Sequence, residues 1–250
     1  MENAVRDMTG EISGMLVIGA STTIAEYMLP SLLGDFKKQY PDINVHLKVS
    51  NSDGIVSMVE NNDIDLGVVE APVNNKNLLV EVCRVDQLVV IVSPQHPLAS
   101  RASVTIQELS EYPFICREQG SGTREVIMEY LADQNMGKEH LQHCMELGSS
   151  EAIKGAVEAG MGVSILSASS ISKELKLGIL KAIPLDPPLE RPFSFVRQRQ
   201  KFRLRAMEEL LAFARNLPQA VRAQQARIWV GNRWQKAHSS TIRPGQSYDF

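Results

Sequence analysis

Short apolar runs alternate with longer amphipathic segments along most of this chain. Continuous or period-two apolar runs indicate strands, and apolar residues recurring every three or four positions indicate helices. The predicted strands are Met15–Gly19, Val45–Val49, Leu66–Val69, Leu88–Ser93, Phe114–Cys116, Met145–Leu147, Val163–Leu166, Leu180–Ile183 and Phe193–Val196. The predicted helices are Thr23–Tyr40, Gly54–Asn61, Thr123–Gln134, Ser150–Ala159, Ala168–Leu175 and Phe202–Asn216. This alternation favours an α/β fold with mainly parallel sheets.

Local signals refine the ends of these elements. Thr23-Ile24-Ala25-Glu26 has the capping-box pattern and predicts a helix start at Thr23. Pro30 lies inside that helix, where a proline kinks the helix or restarts it. Gly160-Met161-Gly162 predicts the end of another helix, since glycine is favoured just beyond helix C-termini.

Two turn-rich segments divide the chain into subdomains. They are Ser93–Pro97 and Pro184–Pro188, and they could be paired crossovers. We therefore predict one subdomain from residues 12–92 and 193–216 and a second from residues 93–192, with 217–250 as an extension or appended tail. In open α/β sheets ligands bind beyond the carboxyl ends of the strands.

Composition narrows the class of protein. The 250-residue chain is 44% hydrophobic and 22% charged, with a formal net charge of −3, which is typical of a globular protein without a nucleic-acid-binding charge excess. No apolar run approaches the roughly 18 residues that cross a membrane. The first residues, Met1–Met8, do not have the pattern of a signal peptide. Cys83, Cys116 and Cys144 lack metal-ligand spacing, so we expect reduced thiols in a cytoplasmic protein without a metal or cofactor.

Two hydroxyl-rich loops carry the candidate chemistry. Each follows a predicted strand and leads into a predicted helix, where free N–H groups and the helix dipole attract anions. The first loop contains Ser21, Thr22 and Thr23, and the second contains Ser121, Gly122, Thr123 and Arg124. Facing each other across a cleft, the loops would form a receptor for a small anion.

Each of these residues also has a structural interpretation. The hydroxyls could cap helices, and Arg124 could pair with Glu118 or Glu125 on the surface. Ser149 and Ser150 open a further helix, and we expect one to cap it while the other donates to the anion. Glu70 follows the Leu66–Val69 strand, and its carboxylate discourages a bare anion unless it binds a cationic or hydroxylated part of the ligand.

Other chemistry has little support in the sequence. His140 and His143 could ligate a metal only if Cys144 joined them, and an exposed polar segment is the simpler interpretation. Cys116 could be redox-active if a nearby arginine lowered its pKa, although strand cysteines are more often buried. No hydrolase, metalloprotease or P-loop motif is present, so we expect a receptor rather than an enzyme.

Several motifs together resemble the effector-binding domain of LysR-type transcriptional regulators. They occur in the family's order and spread over residues 12 to about 215. The matching segments are Gly14–Ser21, Leu29–Leu33, Asp63–Gly67, Pro94–Leu98 and Gly155–Val163. The loops Gly120–Arg124 and Glu146–Lys154 are similar to those of regulators of carbon fixation and of sulfite or cysteine metabolism.

The resemblance implies two Rossmann-like subdomains of the type II periplasmic-binding-protein architecture, joined by two crossover strands. It also implies a small anionic effector, with promoter DNA and RNA polymerase contacted only through a full-length protein that has an upstream helix-turn-helix. Residues 1–11 would then be the end of a linker helix. A homodimer or homotetramer is expected, in which Thr23–Tyr40 pairs with Thr123–Gln134 of another copy. The alternatives are an extracytoplasmic solute-binding protein or, with less support, an α/β enzyme.

Overall fold

The computed structural model describes residues 12–199 and 204–216, and the backbone of 227–230 and 233–236. The chain forms two compact units, Met1–Val85 with Pro192–Phe250 and Asp86–Arg191. The predicted boundaries, 92/93 and 192/193, compare with 85/86 and 191/192 in the structure. The expected linker-helix end at 1–11 and most of the extension at 217–250 lie outside the described residues.

The helices and strands alternate along the described chain. The strands are β1 Gly14–Ser21, β2 Ile43–Ser50, β3 Leu66–Val69, β4 Leu78–Val92, β5 Pro113–Arg117, β6 Gln142–Leu147, β7 Ser164–Ser167, β8 Lys181–Gln198, β9 Arg227–Val230 and β10 Arg233–Lys236. The helices are α1 Thr22–Tyr27, α2 Leu29–Gln39, α3 Ser52–Glu60, α4 Ile106–Leu109, α5 Gly122–Asp133, α6 Ser150–Glu158, α7 Ser172–Leu177 and α8 Arg205–Asn216. Strands β4 and β8 each continue from one unit into the other.

The first unit is built on a mixed sheet with strand order β2-β1-β3-β8-β4. Strand β1 pairs in parallel with β2 and β3, and β3 pairs antiparallel with β8. Helices α1, α2 and α8 cover one face, where Phe36, Leu210 and Leu16 share a buried core. Helix α3 contributes Ile55 and Val59 to a second cluster. Because β1, β2 and β3 are parallel, their carboxyl ends lie at one edge of this sheet.

The second unit contains the antiparallel pair β4–β7 and the parallel pair β5–β6. Ile115 of β5 and Ile153 of α6 belong to its buried core, together with residues of β4 and β7. Lys154 is buried as well, and its Nζ lies 2.7 Å from Glu174 Oε1 and 3.1 Å from the Ser170 carbonyl oxygen. These contacts tie α6 to the segment that contains α7.

Some predicted elements have different bounds in the structure. The helix predicted at Thr23–Tyr40 is two helices, because Pro30 lies in the first turn of α2, where a proline is tolerated. The capping box predicted at Thr23 is wrong: Ser21 is the N-cap, and the Thr23 hydroxyl donates to Glu70 instead. The sheets are also less parallel than predicted, because both strands that continue between the units pair antiparallel with a neighbour.

Candidate ligand-binding site

The N-terminus of α5 is the central feature of the second unit. Strand β5 ends at Arg117, and the chain turns through Gly120, with φ 82°, into the N-cap residue Ser121. Helix α5 is 12 residues long, so its first N–H groups carry the partial positive charge of a full helix. Gly122 is the first helical residue and is buried. The local sequence thus places several N–H donors and two hydroxyls at one point.

The Ser121 hydroxyl lies buried at the start of α5. Its side chain is 2% exposed, makes no cap hydrogen bond, and within the described parts of the chain its Oγ has no hydrogen-bond partner. A buried hydroxyl without a partner costs about 1–3 kcal/mol. An acceptor bound at the start of α5 would satisfy this hydroxyl together with the neighbouring N–H groups.

The Thr123 hydroxyl is held by a buried arginine. Arg191 Nη1 donates to Thr123 Oγ1 at 2.8 Å, and Arg191 Nε donates to Asp86 Oδ2 at 2.9 Å. Asp86 Oδ1 in turn accepts from the Ser167 hydroxyl at 2.7 Å. The Arg191 side chain is 0% exposed and that of Asp86 is 5% exposed. We call Ser121, Thr123, Arg191 and Asp86 the arginine cluster.

The other arginines near this loop are also neutralised. Arg117 makes a two-pronged ion pair with Glu118, at 2.7 and 2.9 Å, and Arg124 pairs with Glu146. Arg124 Nη1 also donates to the Arg117 carbonyl oxygen at 3.0 Å. The guanidinium of Arg124 thus has two protein partners. These contacts do not test the predicted ligand contact of Arg124, which stays a prediction. Arg117, Arg124 and Arg191 are thus each paired with a carboxylate.

The two serines at the start of α6 have different partners. Ser149 Oγ accepts from the Ala152 N–H at 3.1 Å and is the helix cap. Ser150 is buried, and its Oγ accepts from Arg117 Nη1 at 3.4 Å. The ligand contact predicted for Ser149 is not tested by these bonds, since a capping oxygen keeps its own hydrogen for donation.

The first unit contains a second polar cluster with the opposite arrangement. Glu70 follows β3, and its carboxylate accepts from Ser21 Oγ at 2.9 Å and from Thr23 Oγ1 at 3.3 Å. Each of these three residues is only 2% exposed, whereas Thr22 is half-buried. We call Ser21, Thr23 and Glu70 the glutamate cluster. The hydroxyl hydrogens of this cluster are donated to a carboxylate, and α1 has only six residues. The cluster therefore offers fewer hydrogen-bond donors to an anion than the sequence predicted.

The remaining candidates behave as ordinary structural residues. Burial raises the pKa of Cys83 to about 12, and burial outweighs the nearby Arg124 to raise the pKa of Cys116. The redox alternative for Cys116 therefore gains no support. His140 Nδ1 accepts from the Gly137 N–H, and His143 packs against the Phe114 ring. In the part of the chain that the structure describes, no group of three or more His, Cys, Asp or Glu side chains could hold a metal ion.

Sequence reasoning missed two members of the arginine cluster. Asp86 lies two residues before the first residue of the apolar run Leu88–Val92, and Arg191 immediately precedes Pro192 and Phe193. The signal available in the sequence was one acidic and one basic residue, each next to an apolar strand segment. Buried charges are rare unless they are paired, so the two could have been predicted as partners. Their spacing of 105 residues hid the pair.

Comparisons with known proteins give a consistent result. Residues 9–219 match the family description "LysR substrate binding domain". The HTH-type transcriptional regulator YeiE of Escherichia coli is 37% identical over 211 residues, which cover 84% of this chain and 70% of that protein. The HTH-type transcriptional activator CmpR of Synechocystis is 34% identical over 202 residues, covering 80% of this chain and 65% of that protein.

Solved structures agree with these relatives. The regulatory domain of Synechocystis CcmR in complex with 2-PG is 33% identical, with a TM-score of 0.73, and the match covers 82% of this chain and 99% of that one. The effector-binding domain of QuiR in complex with shikimate matches with a TM-score of 0.73 at 22% identity, covering 81% of this chain and 95% of that one, which shows a shared fold.

Among the described residues, no helix is both long and apolar enough to cross a membrane.

Proposed function

The chain belongs to the family of LysR substrate-binding domains, and from this membership we propose that it senses a small anionic effector. The predicted two-subdomain, periplasmic-binding-protein-like fold is confirmed by its structural neighbours. The relatives are named as transcriptional regulators, which favours a regulatory sensor over a transport receptor or an enzyme. The domain would therefore convert the concentration of a metabolite into a change in transcription.

The observation that carries the proposal is the buried Ser121 hydroxyl at the start of α5, which has no hydrogen-bond partner among the residues that the structure describes. An oxyanion there would accept from Ser121, from the Gly122 N–H and from the Thr123 hydroxyl. Thr123 Oγ1 accepts a hydrogen bond from Arg191 Nη1 at 2.8 Å, and we propose that its hydroxyl hydrogen turns to the ligand when the anion binds. In that arrangement Ser121, Gly122 and Thr123 each donate a hydrogen bond to the anion.

Chemistry limits the class of effector. Sulfate, sulfite, acetylserine-like molecules, phosphorylated sugars and small carboxylates all supply the acceptors that such a site requires. The similarity to CcmR, whose regulatory domain was solved with 2-PG, supports this range. We propose that the glutamate cluster contacts a different chemical group, a hydroxyl or an ammonium. Ser21 and Thr23 give their hydrogens to Glu70 and so keep only lone pairs for a ligand. Contacts from Thr22, Arg124 and Ser149 remain secondary parts of the proposal.

The remaining properties concern the parent protein. We propose that it acts in the cytoplasm as a homodimer or homotetramer and reaches promoter DNA and RNA polymerase through a helix-turn-helix domain. Pairing of α1–α2 with α5 of another copy is part of that proposal. Much of the apolar surface predicted for this pairing serves the first unit's own core, because Met28 and Leu33 pack against it. Tyr27→Asp should lower the sedimenting mass if the pairing holds, and an unchanged mass would argue against it.

A thermal-shift screen tests the function. The full chain is heated with a panel of sulfate, sulfite, phosphate, acetylserine, phosphoglycolate and small carboxylates. A ligand at 100 times its dissociation constant stabilises a fold by about 2.7 kcal/mol, which raises the melting temperature by several degrees. The shift should fall to about half or less in Ser121→Ala and in Thr123→Ala, because each substitution removes a donor to the anion and weakens binding by about tenfold or more.

Ser103→Ala is the matched control, since Ser103 is an exposed serine of the same unit. Its ligand-induced shift should equal that of the unsubstituted chain. An undiminished shift in both Ser121→Ala and Thr123→Ala would show that the anion does not bind at the start of α5. The absence of any shift across the panel would contradict an anionic effector.

A further inference from the structure

We propose that the strand pair β9–β10 binds single-stranded nucleic acid by stacking bases on two tryptophans. We call this pair the C-terminal hairpin. It lies beyond residue 219, where the match to the LysR substrate-binding domain ends, so membership of the family assigns it no role. The inference goes beyond the proposed function and does not depend on an anion at α5.

The C-terminal hairpin is supported by the sequence and by the backbone. Gly231-Asn232 separates β9 from β10, and a two-residue Gly-Asn link between strands is a sequence signature of a tight hairpin. The backbone pairs the two strands antiparallel, with Trp229 directly opposite Trp234. Among the described strands, β9 and β10 form a sheet of their own. The two tryptophans therefore occupy matched positions of one small sheet.

One face of the hairpin combines aromatic and basic positions. Directly opposite residues of an antiparallel pair share a face, and so do alternate residues of one strand. The register therefore places Trp229 and Trp234 on one face with Arg227 and Lys236, which are also opposite each other. Proteins that bind single strands use this combination, because aromatic rings stack on bases while cations follow the phosphates.

The charge distribution of the chain favours a polyanionic partner for this segment. Residues 217–250 contain five basic side chains and one acidic one, a formal net charge of +4. Because the whole chain carries −3, residues 1–216 carry −7. A basic segment on an otherwise acidic chain is typical of contact with nucleic acid. The paired tryptophans favour a single strand, since the bases of a duplex are already stacked on one another and an acidic protein has none.

Tryptophan fluorescence reads this face selectively, because Trp229 and Trp234 are the two tryptophans of the entire chain. Oligothymidylate DNA and oligouridylate RNA, each about 12 nucleotides long, are titrated into the full chain at low salt. Either oligonucleotide should quench the tryptophan emission, because a base stacked on indole quenches it. Anisotropy of the labelled oligonucleotides gives the two affinities, and their ratio distinguishes DNA from RNA as the source of the strand.

Substitutions separate stacking from charge. Trp234→Ala should weaken binding at least about fivefold, whereas Trp234→Phe should stay within about threefold, because phenylalanine keeps a ring on which a base stacks. Arg227→Gln should reduce the slope of log affinity against log salt by about 0.7, the value for one phosphate contact with a single strand. Lys38→Gln is the matched control, since it removes one charge from a mostly exposed lysine outside the hairpin. Its affinity and salt slope should equal those of the unsubstituted chain.

Three results would overturn the inference. The first is tryptophan emission that neither oligonucleotide changes at low salt. The second is a duplex of equal length that binds as tightly and quenches as much as the single strands. The third is equal quenching by polyglutamate, which would show attraction between charges without base stacking. The anion-induced thermal shift that depends on Ser121 should remain in Trp234→Ala, so failure of this inference would leave the proposed function intact.

Discussion

The two hydroxyl loops read alike in sequence, yet they differ in the direction of their hydrogen bonds. Ser21 and Thr23 donate to the Glu70 carboxylate, whereas Thr123 accepts from the Arg191 guanidinium. The first pair therefore has lone pairs left for a ligand, whereas Thr123 is proposed as a donor to the ligand. A hydroxyl can act in either sense, and its charged neighbour decides which. The comparison shows that a Ser/Thr-rich turn after a strand does not by itself determine whether its hydroxyls donate or accept.

The largest expected effect concerns the charges that set these directions. Arg191→Leu removes the cation of a buried ion pair with Asp86 and should destabilise the second unit by about 3–5 kcal/mol. Glu70→Leu removes a buried carboxylate and leaves two hydroxyls without an acceptor, so the first unit should lose only about 1–3 kcal/mol. Hydrogen exchange followed by mass spectrometry distinguishes the units, because protection should fall within 86–191 in one variant and within 12–85 in the other.

An exposed ion pair serves as the control for these substitutions. Lys38→Leu breaks the ion pair with Asp35, in which both side chains are mostly exposed. Protection against hydrogen exchange should therefore hardly change. Equal losses in the Arg191 and Glu70 variants would remove the distinction drawn between a buried ion pair and a hydrogen-bonded carboxylate.

Residues close together in the sequence were predictable, and those joined by the fold were not. The Leu66–Val69 strand was predicted with its observed ends, because charged residues directly before and after this short apolar run mark where it begins and ends. Hydrophobic pattern also placed Ser121 and Thr123 at a helix start. Nothing local links Arg191 to Thr123, which are 68 residues apart, or Glu70 to Ser21, which are 49 apart. Periodicity specifies which face of an element is buried, whereas polar partners depend on how strands are paired.

The large sequence separation of polar partners also explains why the predicted capping box at Thr23 is wrong, since Thr23 and Glu70 are 47 residues apart. Thr23 followed three residues later by Glu26 fits the local rule, and a solvent-exposed peptide would be expected to follow it. In the folded first unit, Glu70 provides a buried acceptor at the end of the adjacent parallel strand. A hydrogen bond to a charged group is worth more than one to a backbone amide, so the tertiary contact wins.

Ligand affinity gives an intermediate effect that sharpens the comparison. Thr123→Ala should weaken binding of the best anion from the screen by about tenfold or more, since it removes a hydrogen bond to a charged group. Ser21→Ala should change it by less than about threefold, because the Ser21 hydrogen belongs to Glu70. Isothermal titration of the two variants checks the ratio, with the exposed Ser57→Ala as the control for the first unit. Equal losses in Ser21→Ala and Thr123→Ala would mean that both clusters donate to the anion and that the proposed assignment of donors and acceptors is wrong.

The smallest effect separates two N-cap serines of the second unit. Ser149 accepts a hydrogen bond from the Ala152 N–H, so Ser149→Ala should cost about 1 kcal/mol in urea unfolding without ligand. Ser121 occupies the same position on α5 without a cap bond, and its buried Oγ has no partner within the described residues. Ser121→Ala should therefore leave the free energy of unfolding unchanged or slightly raised. With the anion present the order should reverse, because Ser121 is proposed as a main contact of the ligand and Ser149 only as a secondary one. A cost of 1 kcal/mol or more for Ser121→Ala without ligand would instead identify Ser121 as an ordinary cap, and the main argument for an anion at α5 would fail.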